Sequence, residues 1–169
     1  INLKEAKTVS IEKVRKYFES YGIADRILEF DVSSATVDLA AQAVGVEGKR
    51  IAKTLSFLLG DKCILIVAAG DARVDNKKYK DRFGFKAKML AHDDVPKYIG
   101  HAVGGVCPFA VKEGVEVYLD ESLKRFETVF PAAGSANSAI ELTIPELERY
   151  SKCSGWVDVC KAWQESEAG

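Results

Sequence analysis

The chain has 169 residues, of which 47% are hydrophobic and 29% are charged, and its formal net charge is -1. This composition excludes a disordered chain and a strongly basic polyanion binder, and the longest apolar run, 63–69, is too short to cross a bilayer. The length predicts one domain over 1–169, so any contact with nucleic acid has to come from a local patch.

Helix and turn signals define the first predicted elements. Apolar residues at helical spacing predict a helix over 11–21, with Ser10 as its N-cap. A strand is predicted over 26–32. A second helix is predicted over Val37–Val44, where Thr36 supplies the N-cap side chain.

The middle of the chain predicts a β-hairpin followed by a helix. Two apolar runs, Ile51–Leu59 and Lys62–Ala69, are separated only by Gly60-Asp61, a dipeptide that suits a tight turn. A polar, lysine-rich helix is predicted over Asn76–Phe83.

Shorter elements follow in irregular order. They are a helix over 93–99, a strand over 115–119, a turn or short helix over 121–125, strands over 128–131 and 138–143, a helix that starts at Ile144, and an amphipathic tail over 156–163. This order predicts an α+β fold with a mixed, strongly curved sheet covered by helices, rather than a regular βαβ repeat. The ends, about 1–9 and 164–169, are predicted to fray.

Lys53 is the first candidate functional residue. In a strand it shares one face with Ile51, Leu55 and Phe57, which is unusual for a charged side chain. One interpretation is a lysine at a strand end that extends its ammonium to water. The other is a lysine that lines an apolar cleft, where the ammonium can bind a carbonyl or a phosphate.

A second candidate is the loop Gly104-Gly105-Val106-Cys107-Pro108. Its glycines let a ligand approach the main chain, and such a loop can aim N–H groups at a carbonyl oxygen. A plain connecting loop has the same composition. Cys107 has no base beside it in the sequence, so a packing role is favoured over a nucleophilic one.

Gly134 and Ser135 form a third candidate, a small polar turn between two predicted strands. Turn chemistry alone accounts for these residue types, and contact with a substrate is the functional alternative.

Basic residues concentrate in one stretch of the chain. They are Arg73, Lys77, Lys78, Lys80, Arg82, Lys86 and Lys88. A solvated helix face is the simpler interpretation, and a patch that binds RNA phosphates is the alternative.

The four cysteines and two histidines fit no zinc-binding spacing, so no metal is predicted. Free thiols and the absence of a recognisable signal peptide favour a reducing, cytoplasmic location.

Six segments in this order resemble the YbaK/prolyl-tRNA-synthetase-associated editing domain family. They are Thr36 to Val44, Ile51-Ala52-Lys53-Thr54-Leu55, Ala69-Gly70-Asp71, Gly104 to Phe109, Tyr118 to Leu123, and Ala133-Gly134-Ser135. The resemblance implies a mixed, barrel-like sheet flanked by helices. It also implies hydrolysis of the ester between a mischarged amino acid and the terminal adenosine of tRNA, with no cofactor.

The same resemblance implies the roles of individual residues. Lys53 is the central lysine of the family and is expected to be catalytic. The expected substrate-binding residues are Thr54, Gly104, Gly105, Val106, Cys107, Pro108, Gly134 and Ser135. Separately from the resemblance, the concentration of basic residues makes Arg73, Lys77, Lys78, Lys80 and Arg82 the residues expected to bind tRNA. The Lys53-Thr54 pair is similar to that of family members that clear cysteine.

The sequence therefore predicts a free-standing trans-editing deacylase for mischarged tRNA, such as Cys-tRNA(Pro). Its expected partners are tRNA and a synthetase, with no membrane. Two alternatives remain: a non-catalytic module that binds tRNA or a synthetase, and a hydrolase of another small aminoacyl ester.

Overall fold

The structure, a computed structural model, describes residues 3–164, with side chains described from Ser10 onward. Its helices are α1 (Leu3–Glu19), α2 (Val37–Val44), α3 (Asn76–Phe83), α4 (Val95–Ile99) and α5 (Ile144–Ser151). Its strands are β1 (Ile27–Glu29), β2 (Ile51–Leu59), β3 (Lys62–Ala69), β4 (Arg73–Val74), β5 (Glu116–Asp120), β6 (Thr128–Pro131), β7 (Ser138–Ile140), β8 (Leu142–Thr143), β9 (Gly155–Val157) and β10 (Cys160–Lys161). Short 3-10 turns cover Ala24–Arg26, Gly48–Arg50, His92–Asp94 and Glu121–Arg125.

A curled, mixed six-stranded sheet in the order β8-β6-β2-β3-β5-β9 forms the centre of the fold. The pairs β2–β3 and β6–β8 are antiparallel, whereas β2–β6, β3–β5 and β5–β9 are parallel. Two further pairs, β1–β7 and β4–β10, lie outside this sheet. The predicted α+β class with a mixed, curved sheet is confirmed.

The predicted hairpin of β2 and β3 is confirmed in its register. Leu59 pairs with Lys62, so Gly60 and Asp61 form the turn, and Gly60 has a φ of 64° that favours glycine. β3 is buried from Cys63 to Ala69 because strands pair on both of its edges and side chains cover both of its faces. This strand anchors the main hydrophobic core.

Several predicted helix ends are also confirmed. The Thr36 side chain accepts a hydrogen bond from the Leu39 amide at the start of α2. Thr143 and Glu146 form a reciprocal capping box at the start of α5.

The predicted start of the first helix is wrong. The α1 helix begins at Leu3, so Ser10 lies inside it, buried, rather than at its N-cap. Ser10 faces the protein interior, where its hydroxyl contacts a histidine, and a long-range contact of this kind leaves no local signal. Of the residues predicted to fray, 3–9 are helical, and 1–2 and 165–169 lie outside the described residues.

Two strand predictions need correction, and the tail contains strands that were not predicted. The strand predicted over 26–32 is limited to Ile27–Glu29, because only these residues pair with β7. The strand predicted over 138–143 is divided into β7 and β8, which pair with different partners. The tail predicted as amphipathic contains the short strands β9 and β10. No helix within residues 3–164 combines the length and the apolar character needed to span a membrane.

Candidate functional site

A cavity of about 260 Å³ lies where the start of β2 meets α2. Four of the predicted site residues line it together: Lys53, Thr54, Gly104 and Val106. The other lining residues are mostly apolar or carry hydroxyls: Ser34, Ala35, Thr36, Val37, Ala40, Ile51, Ala52, Leu55, Phe130, Ala132, Ser138 and Ala139. The cavity is therefore a mainly apolar cleft with one cation at its wall.

The Lys53 ammonium is held by two main-chain carbonyls. Its Nζ lies 3.3 Å from the Gly70 oxygen and also contacts the Ala72 oxygen. Burial lowers the pKa of Lys53, whereas the nearby carboxylate of Asp71 opposes that shift. Because an ammonium has three N–H donors, one donor remains for a further acceptor.

The turn that holds this ammonium is itself fixed by distant residues. The Ala69 amide donates to Ser122 Oγ at 3.1 Å. Arg125 donates to both carboxylate oxygens of Asp71, at 3.0 and 2.6 Å, and both side chains are largely buried. Sequence reasoning missed this bidentate pair, because 54 positions separate its members and no local pattern links them.

The loop 104–108 borders the cavity with only part of its length. Gly104 has a φ of 86° and lines the cavity, as does Val106. Gly105 packs behind them: a Cβ on it would lie 2.7 Å from both the Cα and the N of Ser135. This close approach accounts for the second glycine without a ligand.

Cys107 and Pro108 lie away from the cavity. Cys107 is fully buried, with its Sγ 3.6 Å from His101 Nε2, and Pro108 lines a separate surface concavity near Tyr17. The burial of Cys107 raises the pKa of its thiol to about 12, so the thiol stays protonated.

His101 cannot act as a base for that thiol. Its Nε2 lies 2.7 Å from the Phe109 carbonyl oxygen and must carry a hydrogen to bond it, whereas its Nδ1 lies 2.9 Å from Ser10 Oγ. Burial lowers the pKa of His101 to about 4, which keeps the ring neutral. The geometry supports a packing role for Cys107.

Gly134 and Ser135 form the layer behind the loop. Gly134 has a φ of 100°, and a Cβ there would lie 2.8 Å from the Ser10 carbonyl oxygen. Ser135 is buried, with its Oγ 2.8 Å from Ser138 Oγ and 2.9 Å from Asn137 Oδ1. Ser138, rather than Ser135, lines the cavity.

Comparison with known proteins identifies the family. Residues 32–150 match the aminoacyl-tRNA editing domain family. The chain belongs to this family. Membership confirms the predicted resemblance and places this editing domain among proteins of aminoacyl-tRNA editing and translation fidelity.

Individual relatives agree with this assignment. The editing domain is 55% identical to the uncharacterized protein YwhH of Bacillus subtilis, over 92% of this chain and 100% of that protein. It is 32% identical to the proline–tRNA ligase of Limosilactobacillus fermentum, over 53% of this chain and 17% of the ligase. The crystal structure of a candidate trans-editing enzyme for prolyl tRNA synthetase is 28% identical, with a TM-score of 0.81, over 90% of this chain and 97% of that chain.

Two hydroxyls at the cavity of this editing domain lack a hydrogen-bond partner among the described residues. They belong to Ser34 and Thr54, and both oxygens are buried. Sequence reasoning selected Thr54 but not Ser34, which precedes α2 in a segment without any recognisable pattern.

Three of the five residues expected to bind tRNA already have partners on the surface. Lys77 pairs with Asp81 at 2.8 Å, and Lys78 with Asp158 at 3.2 Å. The Arg82 guanidinium lies over the rings of Phe83 and Tyr118, 5.0 and 5.6 Å from their centres. Lys77 and Lys80 share a surface concavity with Lys86, as their helical spacing predicts.

Proposed function

We propose that this editing domain is an aminoacyl-tRNA deacylase that acts in trans on mischarged tRNA, with Cys-tRNA(Pro) or a related small aminoacyl ester as its substrate. The observation that carries the proposal is the cavity of about 260 Å³ that brings Lys53 and the loop residues Gly104 and Val106 together. Its volume lies near the lower end of the range for ligand pockets, about 300–1,000 Å³, and therefore suits a small group such as an aminoacyl ester.

The reaction needs positioning more than a nucleophilic side chain. An aminoacyl ester is already activated, so a donor aimed at its carbonyl oxygen and a fixed orientation supply most of the rate. In this proposal the remaining N–H of Lys53 binds the carbonyl oxygen and stabilises the negative charge that develops there. The attacking group is then water, which a ribose hydroxyl of the tRNA can orient, or the side chain of the substrate, since the Cys107 thiol is buried and protonated. The bond between the carbonyl carbon and the ribose oxygen breaks, and that oxygen leaves with the proton of the attacking group.

The proposed partners follow from this substrate. The tRNA body contacts the basic surface that includes Arg73, Lys77, Lys78, Lys80 and Arg82, and the protein works in the cytoplasm, where tRNA is charged. The similarity to a proline–tRNA ligase and to a candidate trans-editing enzyme supports tRNA(Pro) as the carrier and a synthetase as a partner.

Deacylation of a panel of charged tRNAs tests the proposal. Cys-, Ala-, Ser- and Pro-tRNA of the proline isoacceptor are incubated with the wild type, with Lys53→Ala and with Lys62→Ala. Lys62 lies at the opposite end of the same hairpin and provides the matched control.

The wild type is expected to clear at least one mischarged species and to spare Pro-tRNA. Lys53→Ala is expected to reduce that rate by about 10²–10³, as the loss of an oxyanion donor does, with binding of uncharged tRNA retained. Lys62→Ala keeps the wild-type rate. Binding of tRNA without clearance of any species would contradict the proposal in favour of a non-catalytic binding module.

A further inference from the structure

Two cations face each other where β4 pairs with β10. The register of this antiparallel pair places Lys161 directly opposite Arg73, and both residues are exposed. Directly opposed residues on an antiparallel pair extend from the same face, with Cβ atoms about 4.5–5.5 Å apart. The backbone therefore fixes a lysine and an arginine side by side.

Such a pair is unfavourable unless an anion compensates it. Like charges opposite each other destabilise a strand pair. Within the part of the chain whose side chains are described, neither Arg73 nor Lys161 has a carboxylate within ion-pair distance. Asp75 is close enough to feel the charge of Lys161, but its carboxylate accepts the Lys77 and Lys78 amides at the start of α3. Among the described residues, the two exposed cations thus form a positive site without an ion-pair partner.

This positive site lies next to the Lys53 ammonium, which in the proposed function binds the carbonyl oxygen of the ester. Arg73 directly follows Ala72, whose carbonyl accepts a hydrogen bond from Lys53. Its charge is near enough to lower the pKa of Lys53. A substrate whose ester contacts Lys53 therefore brings its nearest phosphate close to the pair.

We propose that Arg73 and Lys161 together bind the phosphodiester on the 5′ side of the terminal adenosine of the tRNA, and so orient the ester toward Lys53. The proposal rests on the deacylase function proposed above. It distinguishes this pair from Lys77, Lys78 and Arg82, whose charged groups already have protein partners. Contacts to phosphates fix the position of a nucleic acid without reading its sequence.

Small esters test the proposal directly. Hydrolysis of a 3′-aminoacyl adenosine is compared with that of the same ester carrying a 5′-phosphate, using the wild type and the variants Arg73→Gln, Lys161→Gln and Lys62→Gln. The wild type is expected to favour the phosphorylated ester. Either variant of the pair is expected to reduce this preference about tenfold, the effect of losing a hydrogen bond to a charged group. Lys62→Gln removes one positive charge far from the site and keeps the preference.

Binding gives a second readout that does not need turnover. The affinity of uncharged tRNA ending in CCA is measured by fluorescence anisotropy over a range of salt concentrations. The double variant Arg73→Gln/Lys161→Gln is expected to reduce the slope of log K against log salt by about 0.7, the value for one single-strand phosphate. The control variant leaves the slope unchanged.

The outcomes separate the two proposals. Hydrolysis of neither ester by the wild type, together with clearance of none of the charged tRNAs, would refute the deacylase function, and the salt slope would still decide the phosphate site. Hydrolysis without a preference for the 5′-phosphate, or a preference that survives both variants, would refute the phosphate site alone. An unchanged slope in the double variant would also overturn it.

Discussion

Lys53 shows how a charged residue is accommodated in the apolar face of a strand. Burial alone disfavours an ammonium, and the carbonyls of Gly70 and Ala72 compensate by accepting its hydrogen bonds. The Asp71–Arg125 pair fixes the turn that supplies these carbonyls. The ammonium is therefore preorganised at the cavity wall, because its position does not depend on a ligand.

The free hydroxyl of Thr54 gives a prediction in which stability and function move in opposite directions. Thr54→Val replaces a buried hydroxyl without a partner by a methyl group of similar size. We expect the free energy of unfolding to rise by about 1 kcal/mol, the lower end of the cost of an unsatisfied buried group. Deacylation is expected to fall if Thr54 contacts the substrate, and denaturant unfolding beside a deacylation assay measures both.

Thr128→Val is the matched control for that prediction. The Thr128 hydroxyl accepts from Arg50 at 2.5 Å and donates to Glu141 at 2.6 Å, so its removal is expected to destabilise the protein. An equal loss of stability in Thr54→Val would show that the Thr54 hydroxyl has a partner in solution and would contradict the prediction.

Elements with strong local signals could be predicted from the sequence with correct bounds. The helices α2 and α3 have capping residues at both ends, and β2 and β3 are long apolar runs around a two-residue turn. The strands β4 and β10 could not be predicted. Each has two residues, and they pair through their backbones across more than 80 positions, which leaves no pattern in the side chains.

The candidate site could likewise be predicted from the sequence only in part. Short motifs that resemble those of the editing domain family selected Lys53, Thr54 and the loop 104–108. Part of this set lines one cavity. The sequence could not show which loop residues face the cavity, because packing against the turn at Ser135 decides it. Contacts such as Ser10 with His101 depend on the folded arrangement of distant elements.

The contact between the loop and this turn leads to a prediction for Gly105. In Gly105→Ala the new Cβ would lie 2.7 Å from Ser135 main-chain atoms, so the two segments must separate. We expect the free energy of unfolding to fall by about 1–3 kcal/mol, the range for overpacking. Deacylation is also expected to fall at temperatures where the variant is folded, because the displaced loop carries Gly104 and Val106 at the cavity.

Gly84→Ala controls for the general cost of replacing a glycine. Gly84 has a φ of 80° with open space around it, so alanine there costs only about 1–2 kcal/mol of backbone strain. Its deacylation rate is expected to match the wild type. Wild-type activity in Gly105→Ala would show that the loop does not need its contact with the turn.

At the scale of the whole molecule, α1 packs against the segment 100–109, which contains the candidate loop. Phe18 packs on Phe109 with ring centres 4.8 Å apart, and Lys13 donates to the Gly100 carbonyl at 2.8 Å. Ser10 reaches His101 in the same region. The helix therefore supports the segment 100–109 that contains the candidate loop, although none of its side chains described from Ser10 onward lines the cavity.

This connection makes global stability sensitive to acid through His101. Burial lowers the pKa of His101 from 6.5 to about 4 in the folded state. Above pH 6.5 the ring is neutral in both states and its contribution to stability is complete. As the pH falls from 6.5 to about 4, the unfolded chain binds a proton that the folded chain does not, so stability is lost by up to about 1.4 kcal/mol per pH unit.

His101→Gln tests this linkage, because an amide can still donate to the Phe109 carbonyl and accept from Ser10 but does not titrate. The variant is expected to be less stable than the wild type at pH 7, yet to lose about 2 kcal/mol less between pH 7 and pH 5. Urea unfolding at several pH values measures both effects. Carboxylates titrate mainly below this window, so parallel pH profiles for His101→Gln and the wild type would mean that His101 has the same pKa in the folded and unfolded states, which would contradict the prediction.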